Sequence, residues 1–213
     1  MIVTSNTASQ IAEYLLQIKA IKLQPEKPFT WASGWKSPIY CDNRISLSYP
    51  EIRKYISSAL TDSIQQNFPS AEVIAGVATA AIPQGALVAN NMELPFIYVR
   101  SGAKGHGREN LIEGDVKKGQ KVVVIEDLVS TGKSSLKAVQ DLREAGCEVL
   151  GLICIFNYGF EQAENNFADA NCPIISLCNY EHLLKHALYT DFIKKEDLKT
   201  LESWRRSPEN WGR

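Results

Sequence analysis

The sequence predicts an α/β fold: a doubly wound, mostly parallel sheet with helices on both faces, carrying a small N-terminal hood. Three observations lead there. From Glu72 onward, short apolar runs rich in Val and Ile alternate with helical tracts, the order of βαβ units. The runs are apolar throughout instead of alternating, as strands buried on both faces must be. The chain's 213 residues, 45% of them apolar, suffice for one substantial core, and no repeat or long linker marks a second. We therefore read residues 1–213 as one domain, with 1–47 as an N-terminal helix and hood subregion.

The elements follow in order. Ile11, Leu15, Ile18 and Ile21, with Tyr14, fall at helical spacing, so residues 9–21 are expected to form an amphipathic helix. The next stretch, KPFTWASGWKSPIYCDNRISLS, sets Gly34 and Pro38 between short aromatic and β-branched pieces and reads as an irregular hairpin. In SYPE, Ser48 precedes Glu51 by three positions, a capping-box pattern. Ile52, Ile56, Leu60 and Ile64 then recur every fourth residue down one helix face. Beyond them come a strand EVIAGV, a helix IPQGALVANN, and the strands PFIYV and KVVVIED. A helix KSSLKAVQDLREAG, closed by Gly146, leads to the strand EVLGLICIF. A helix over 160–167, a strand PIISLC and helical tracts over 180–188 and 196–204 complete the chain.

Composition excludes several classes. Twenty-three basic residues against 24 acidic ones leave a net charge of -1, so no global field draws nucleic acid or an anionic membrane. No apolar run approaches the roughly 18 residues of a membrane span, and the opening MIVTSNTASQ lacks the basic-then-apolar order of a signal peptide. A soluble, cytoplasmic protein with neither nucleic-acid nor membrane partners is expected. Cys41, Cys147, Cys154, Cys172 and Cys178 are odd in number and form no C-x-x-C pair, which argues against a disulfide framework or a thiolate zinc site. His182 and His186 have i,i+4 spacing, but the glutamate of H-E-x-x-H is missing, and an ordinary helix surface explains them.

Chemistry concentrates in VVVIEDLVSTGKSS. Its Gly-Lys-Ser resembles the tail of a P-loop, but the position that needs the first P-loop glycine holds Asp127. Ligands of open α/β sheets sit at strand carboxyl ends, and KVVVIED places Glu126 and Asp127 at one. Ser130, Thr131, Gly132, Lys133 and Ser134 then form a strand-to-helix turn whose amides and hydroxyls can converge on one phosphate at a helix N-terminus. A monophosphate fits that short loop; a triphosphate does not. The two acids suit vicinal hydroxyls, which they can accept from. Phosphate on one side and a diol on the other describe ribose 5-phosphate. A plain buried strand before a capped helix would leave adjacent carboxylates at a buried strand end unexplained.

This tract resembles the phosphoribosyl-pyrophosphate (PRPP) motif of type I phosphoribosyltransferases: an apolar run, two acids, two apolar residues (Leu128 and Val129), then Ser/Thr-Thr-Gly-x-Ser/Thr. Between PFIYVR and Lys121 lies a Gly-rich loop with Lys104, His106 and Arg108, whose cations suit a polyanion. Arg100, Lys104 and the pair His106-Gly107 are similar to the R-x-x-x-K-x-H-G catalytic loop of orotate phosphoribosyltransferases. FTWASGWKSPIYCDNR resembles that family's hood, and GVATAAIPQGALVA its pyrophosphate loop and following helix. Orotate is a flat ring bearing a carboxylate, which an aromatic wall at Tyr40 and cations at Lys36 and Arg44 would suit.

The resemblance implies transfer of ribose 5-phosphate from PRPP to orotate, with Mg²⁺ as cofactor. It implies Arg100, Lys104, His106 and Asp127 as catalytic groups and Thr79 with 126–134 as further PRPP contacts. Orotate would meet Lys36, Tyr40, Arg44 and Ser130, and the metal would meet Glu126 and Asp127 mainly through water. It also implies a homodimer whose catalytic loops cross into the neighbouring site. The sequence departs from relatives that carry a lysine just after the loop arginine, where Ser101 and Gly102 stand, a lysine at Ala32, a Tyr-Lys pair at Thr79-Ala80, and an arginine near Asn157-Tyr158. A purine-base phosphoribosyltransferase and a PRPP-sensing regulator remain open as alternatives, the second disfavoured by the near-neutral charge.

Overall fold

Thr4 opens the first helix, α1 (Ser5–Gln17), its hydroxyl accepting the Thr7 amide at 3.3 Å. The helix thus begins before residue 9, and Lys19, at φ 58°, turns the chain out of it. Four short strands build the hood: β1 (Ile21–Leu23), β2 (Phe29–Thr30), β3 (Lys36–Ser37) and β4 (Ile39–Cys41). β1 pairs antiparallel with β4, Ile21 opposite Cys41, and β2 pairs antiparallel with β3, Thr30 opposite Lys36. Gly34 makes the β2–β3 turn at φ +85°, and Pro38, which has no N–H to continue a ladder, separates β3 from β4. The computed structural model describes residues 3–31, 33–102 and 111–212.

A 3₁₀ helix, Asn43–Ser48, links the hood to α2 (Pro50–Asn67). Ser48 ends that 3₁₀ turn and is no cap. The α2 cap is Tyr49, without a side-chain hydrogen bond, and Pro50 at the first helical position has its φ preset for the helix. The stripe Ile52, Ile56, Leu60 and Ile64 is buried as its spacing requires, each side chain contributing about 1.5–3 kcal/mol of transfer free energy.

The core continues through β5 (Val73–Val77), α3 (Ile82–Met92), β6 (Phe96–Val99), β7 (Ile112–Glu113), β8 (Lys121–Val129), α4 (Lys133–Glu144), β9 (Glu148–Asn157), α5 (Glu161–Asp169), β10 (Ile174–Asn179), α6 (Tyr180–Tyr189) and α7 (Lys195–Arg206). The sheet order is β10-β9-β8-β5-β6-β7. All neighbours are parallel except β6 and β7, which are antiparallel with Val99 opposite Ile112. β7 has two residues, too few to announce a strand by periodicity. β8 runs two residues past Asp127, since Leu128 and Val129 still pair with Phe156 and Asn157 of β9.

The β5–α3–β6 and β8–α4–β9 crossovers travel in opposite directions along the sheet. Right-handed connections therefore place α3 on one face and α4 on the other. α2 packs on α3 and β9, α4 on α5 and β9, and α1 on β10 and α6. A register shift beside Val122–Val123 marks a bulge in β9, next to Gly151. A Cβ there would stand 2.5 Å from the Phe68 ring, so glycine lets the end of α2 lie against the sheet. The direction of winding reverses between the parallel strands β5 and β8, which makes the carboxyl ends of these two strands the crevice of the fold.

Candidate functional site

Two loops meet at that crevice. After β5 the chain turns through Ala78 and Thr79, joined by a cis peptide, with the Ala78 amide bonded to Val99 O at 2.8 Å. Gly76 makes room for this turn: a Cβ on it would meet Ala81 O at 3.0 Å. Thr79 is left exposed at the mouth. After β8, Ser130 and Thr131 lead into Gly132, at φ 77°, which serves as the N-cap of α4. A Cβ on Gly132 would lie 2.7 Å from the Phe167 ring, so only glycine allows both the left-handed turn and the closeness of α5. Asn166 of α5 donates to Thr131 O at 2.9 Å and braces the turn from outside. Lys133 and Ser134 are exposed at the helix start, where free amides and the helix dipole favour an anion.

The two acids are not equivalent. Glu126 is buried, its Oε2 accepting the Ser135 hydroxyl at 2.9 Å and its Oε1 the Asp127 amide at 3.0 Å. Burial, and then the neighbouring Asp127 charge, push the Glu126 carboxyl well above the usual range. Burial also raises Asp127, but hydrogen bonds from Glu126 and the Leu128 amide, and the Arg44 charge, pull it back. Glu126 holds the pair's proton and Asp127 carries its charge, as two close carboxyls in a poorly solvated place must arrange. Asp127 is only half-buried.

The hood reaches this pair through Asn43, a residue that no local pattern singles out. Asn43 is buried and donates from Nδ2 to Asp127 O at 2.7 Å, across 84 residues of chain. Cys41 donates to Asn43 Oδ1 at 3.3 Å and so orients the amide. Burial first, and then the charges of Asp127 and Asp42, keep Cys41 protonated for that role. Arg44 sits beside them with its guanidinium bound to Asp42, 2.7 Å from Nε to Oδ1 and 2.9 Å from Nη2 to Oδ2. That ion pair lowers the Asp42 carboxyl and leaves Arg44 largely exposed. Tyr40 is 40% exposed on β4, its ring 5.6 Å from Phe29. Lys36 is exposed on β3 and donates to Thr30 Oγ1 at 2.8 Å.

Arg100, just past β6, bonds through its amide to Leu111 O at 2.8 Å and pairs with Glu113 of β7 at 3.4 Å. It therefore stands at the base of the Gly-rich loop, one strand from Thr79. Lys104 and His106 lie outside the described residues. The structure thus brings Thr79, Asp127, Glu126, 130–134 and Arg100 to adjacent strand ends, with the Arg44 charge acting on Asp127; Lys36 and Tyr40 lie on the hood strands. Ser135, the partner of Glu126, directly follows the motif, and its place in the first turn of α4 was the signal for it. Asn43 and the C-terminal residues described below had no such signal.

Comparison with known proteins agrees with this geometry. The phosphoribosyl transferase domain model matches residues 43–183, a span that includes the acid pair, both crevice loops and Asn43. The chain is 56% identical to an orotate phosphoribosyltransferase of Bacteroides fragilis over 206 residues, 97% of each chain. The chain belongs to the orotate phosphoribosyltransferase family. Among solved structures, the family member from Aeropyrum pernix superposes with a TM-score of 0.76 at 28% identity, covering 86% of this chain and 99% of that one. Leishmania donovani UMP synthase gives a TM-score of 0.80 at 27% identity; the match covers 94% of this chain and 42% of the longer protein. No helix among the described residues is long and apolar enough to cross a membrane.

Proposed function

We infer that this chain transfers a ribose 5-phosphate unit from PRPP to a ring nitrogen of orotate, giving orotidine 5′-monophosphate and pyrophosphate, a step toward UMP. The observation that carries this reading is the meeting of the Thr79 turn and the 130–134 turn at the switch point, with Asp127 between them. One turn suits the pyrophosphate, the other the 5′-phosphate, and the charged acid the ribose hydroxyls. Glycosyl bond cleavage passes through an oxocarbenium-like state, so the protein must stabilise departing negative charge and exclude water. Thr79, Arg100, Lys104 and His106 supply that stabilisation in this reading, the last two by closing over the pyrophosphate. Lys36, Tyr40, Arg44 and Ser130 hold orotate, and Arg44 must leave Asp42 to do so. No protein nucleophile is needed.

A hard divalent cation fits the donor set on stated terms. Both Glu126 oxygens already accept hydrogen bonds, and no group of three or more His, Cys, Asp or Glu able to hold a metal occurs among the described residues. Mg²⁺ would therefore be held mainly through water near Asp127 and by substrate oxygens, as suits an ion that dehydrates reluctantly. When bound, it would neutralise charge on the departing pyrophosphate. We further propose a cytoplasmic homodimer in which each loop serves the partner's site. The test is the ultraviolet absorbance of orotate with PRPP, Mg²⁺ and protein. Loss of the orotate signal only in the complete mixture is expected. No change, with PRPP still bound, would refute orotate as the substrate.

A further inference from the structure

We propose that Trp204, on the C-terminal helix α7, is a positioning residue for the orotate half of the site, acting through the backbone of Lys36. The proposal rests on the reading that Lys36 contacts orotate.

The hairpin that carries Lys36 cannot hold itself. Its strands are two residues each, and an isolated two-stranded hairpin is marginal in water. Trp31 N–H bonds to Trp35 O at 2.9 Å. In an antiparallel ladder the neighbouring pair, Thr30 and Lys36, then has its backbone groups directed outward, away from the partner strand. The Lys36 carbonyl is thus an edge acceptor, and Trp204 Nε1 donates to it at 3.1 Å across 168 residues of chain. On the same non-hydrogen-bonded pair, Lys36 Nζ reaches across to Thr30 Oγ1, so the ammonium is set by the backbone that Trp204 holds.

Trp204 is itself fixed. It is fully buried, and its ring packs edge-on against Trp31, Tyr158 and Phe160 with centroids 5.5, 5.7 and 5.4 Å away. Tyr180 lies 5.4 Å off and donates to Leu201 O at 3.1 Å, tying α7 to α6. Trp31 in turn donates to Ile39 O at 3.1 Å. The two indoles therefore grip β3 and β4 on either side of Pro38. Past α7 the chain returns to the same strand: a Cβ on Gly212 would lie 3.2 Å from the Lys36 side chain. The C-terminal segment is a buttress that packs on Trp31 and hydrogen-bonds the hairpin at the Lys36 carbonyl.

The test measures steady-state KM for orotate and for PRPP in Lys36→Ala, Trp204→Phe and Tyr180→Phe. Trp204→Phe removes the indole N–H and should raise KM for orotate about two- to ten-fold, with kcat and KM for PRPP within about two-fold, as loss of one neutral hydrogen bond predicts. Tyr180→Phe removes the bond that ties α7 to α6 but keeps the Trp204 N–H, so it should raise KM for orotate in the same direction and by less than Trp204→Phe does. Trp204→benzothienylalanine keeps the ring shape without the N–H, and it replaces the phenylalanine variant if that one is unstable. An unchanged orotate KM in Trp204→Phe, while Lys36→Ala raises it, overturns the proposal. So does a parallel change in both KM values, the mark of general loosening. If Lys36→Ala leaves orotate binding intact, the site reading fails and the proposal with it.

Discussion

Replacing Asn43 by alanine deletes the amide that joins the hood to the acid pair. Asn43 is 2% exposed, and its 2.7 Å bond to Asp127 O is neutral and short. The loss is therefore the cost of leaving a part-buried carbonyl without this donor, about 1 kcal/mol, together with a small cavity and an orphaned Cys41 thiol. Asn43→Asp tests the account more sharply, because it keeps the shape. An aspartate cannot donate to Asp127 O when ionised, and it adds negative charge beside Asp127 and Asp42, so it should destabilise more than alanine does. Urea denaturation of the ligand-free protein measures both variants, and KM for PRPP should rise with the displacement of Asp127. A midpoint for Asn43→Ala equal to that of the parent, or an aspartate variant no worse than alanine, would refute the clamp.

Other expectations concern the same crevice. The folded chain keeps the Glu126 proton, with the carboxyl pushed up to about 8, whereas the unfolded chain releases it near pH 4.3. The ligand-free protein should therefore lose stability as pH rises through that window. Glu126→Gln should flatten the profile and exceed the parent at pH 8 by on the order of 1–3 kcal/mol; parallel denaturation profiles would count against it. Gly132→Ala places a side chain at φ 77° and against Phe167, so it should cost at least about 1–2 kcal/mol for the left-handed backbone alone, read as a lower denaturation midpoint. Lys104→Ala and His106→Ala should lower kcat far more than they weaken binding of the 5′-phosphate; equal loss of both would reject their assignment to the departing pyrophosphate.

The sheet and the turn after β8 were legible because their signals are local. Apolar runs such as VVVI and the tract EDLVSTGKSS carry strand, acid pair and turn within one stretch. The hood was legible only as irregular, since strands of two or three residues have no period to read. β7 escaped for the same reason. The unequal protonation of Glu126 and Asp127 follows from the deeper burial of Glu126, which an adjacent acid pair in the sequence does not disclose. Asn43 and Trp204 were hidden by distance along the chain: a polar residue in a loop and a tryptophan on a helix say nothing about a partner 84 or 168 residues away.

Four of the side chains that brace the candidate site share one property. Asn43, Trp204, Trp31 and Asn166 all grip main-chain oxygens, those of Asp127, Lys36, Ile39 and Thr131. A carbonyl is the same in every residue, so these grips survive a change of side chain at the position they hold. Lineages that exchange Lys36 or Thr131 for another residue would keep the architecture while trying new ligand chemistry. This scaffold separates what may vary from what must stay, and it does so one peptide group at a time.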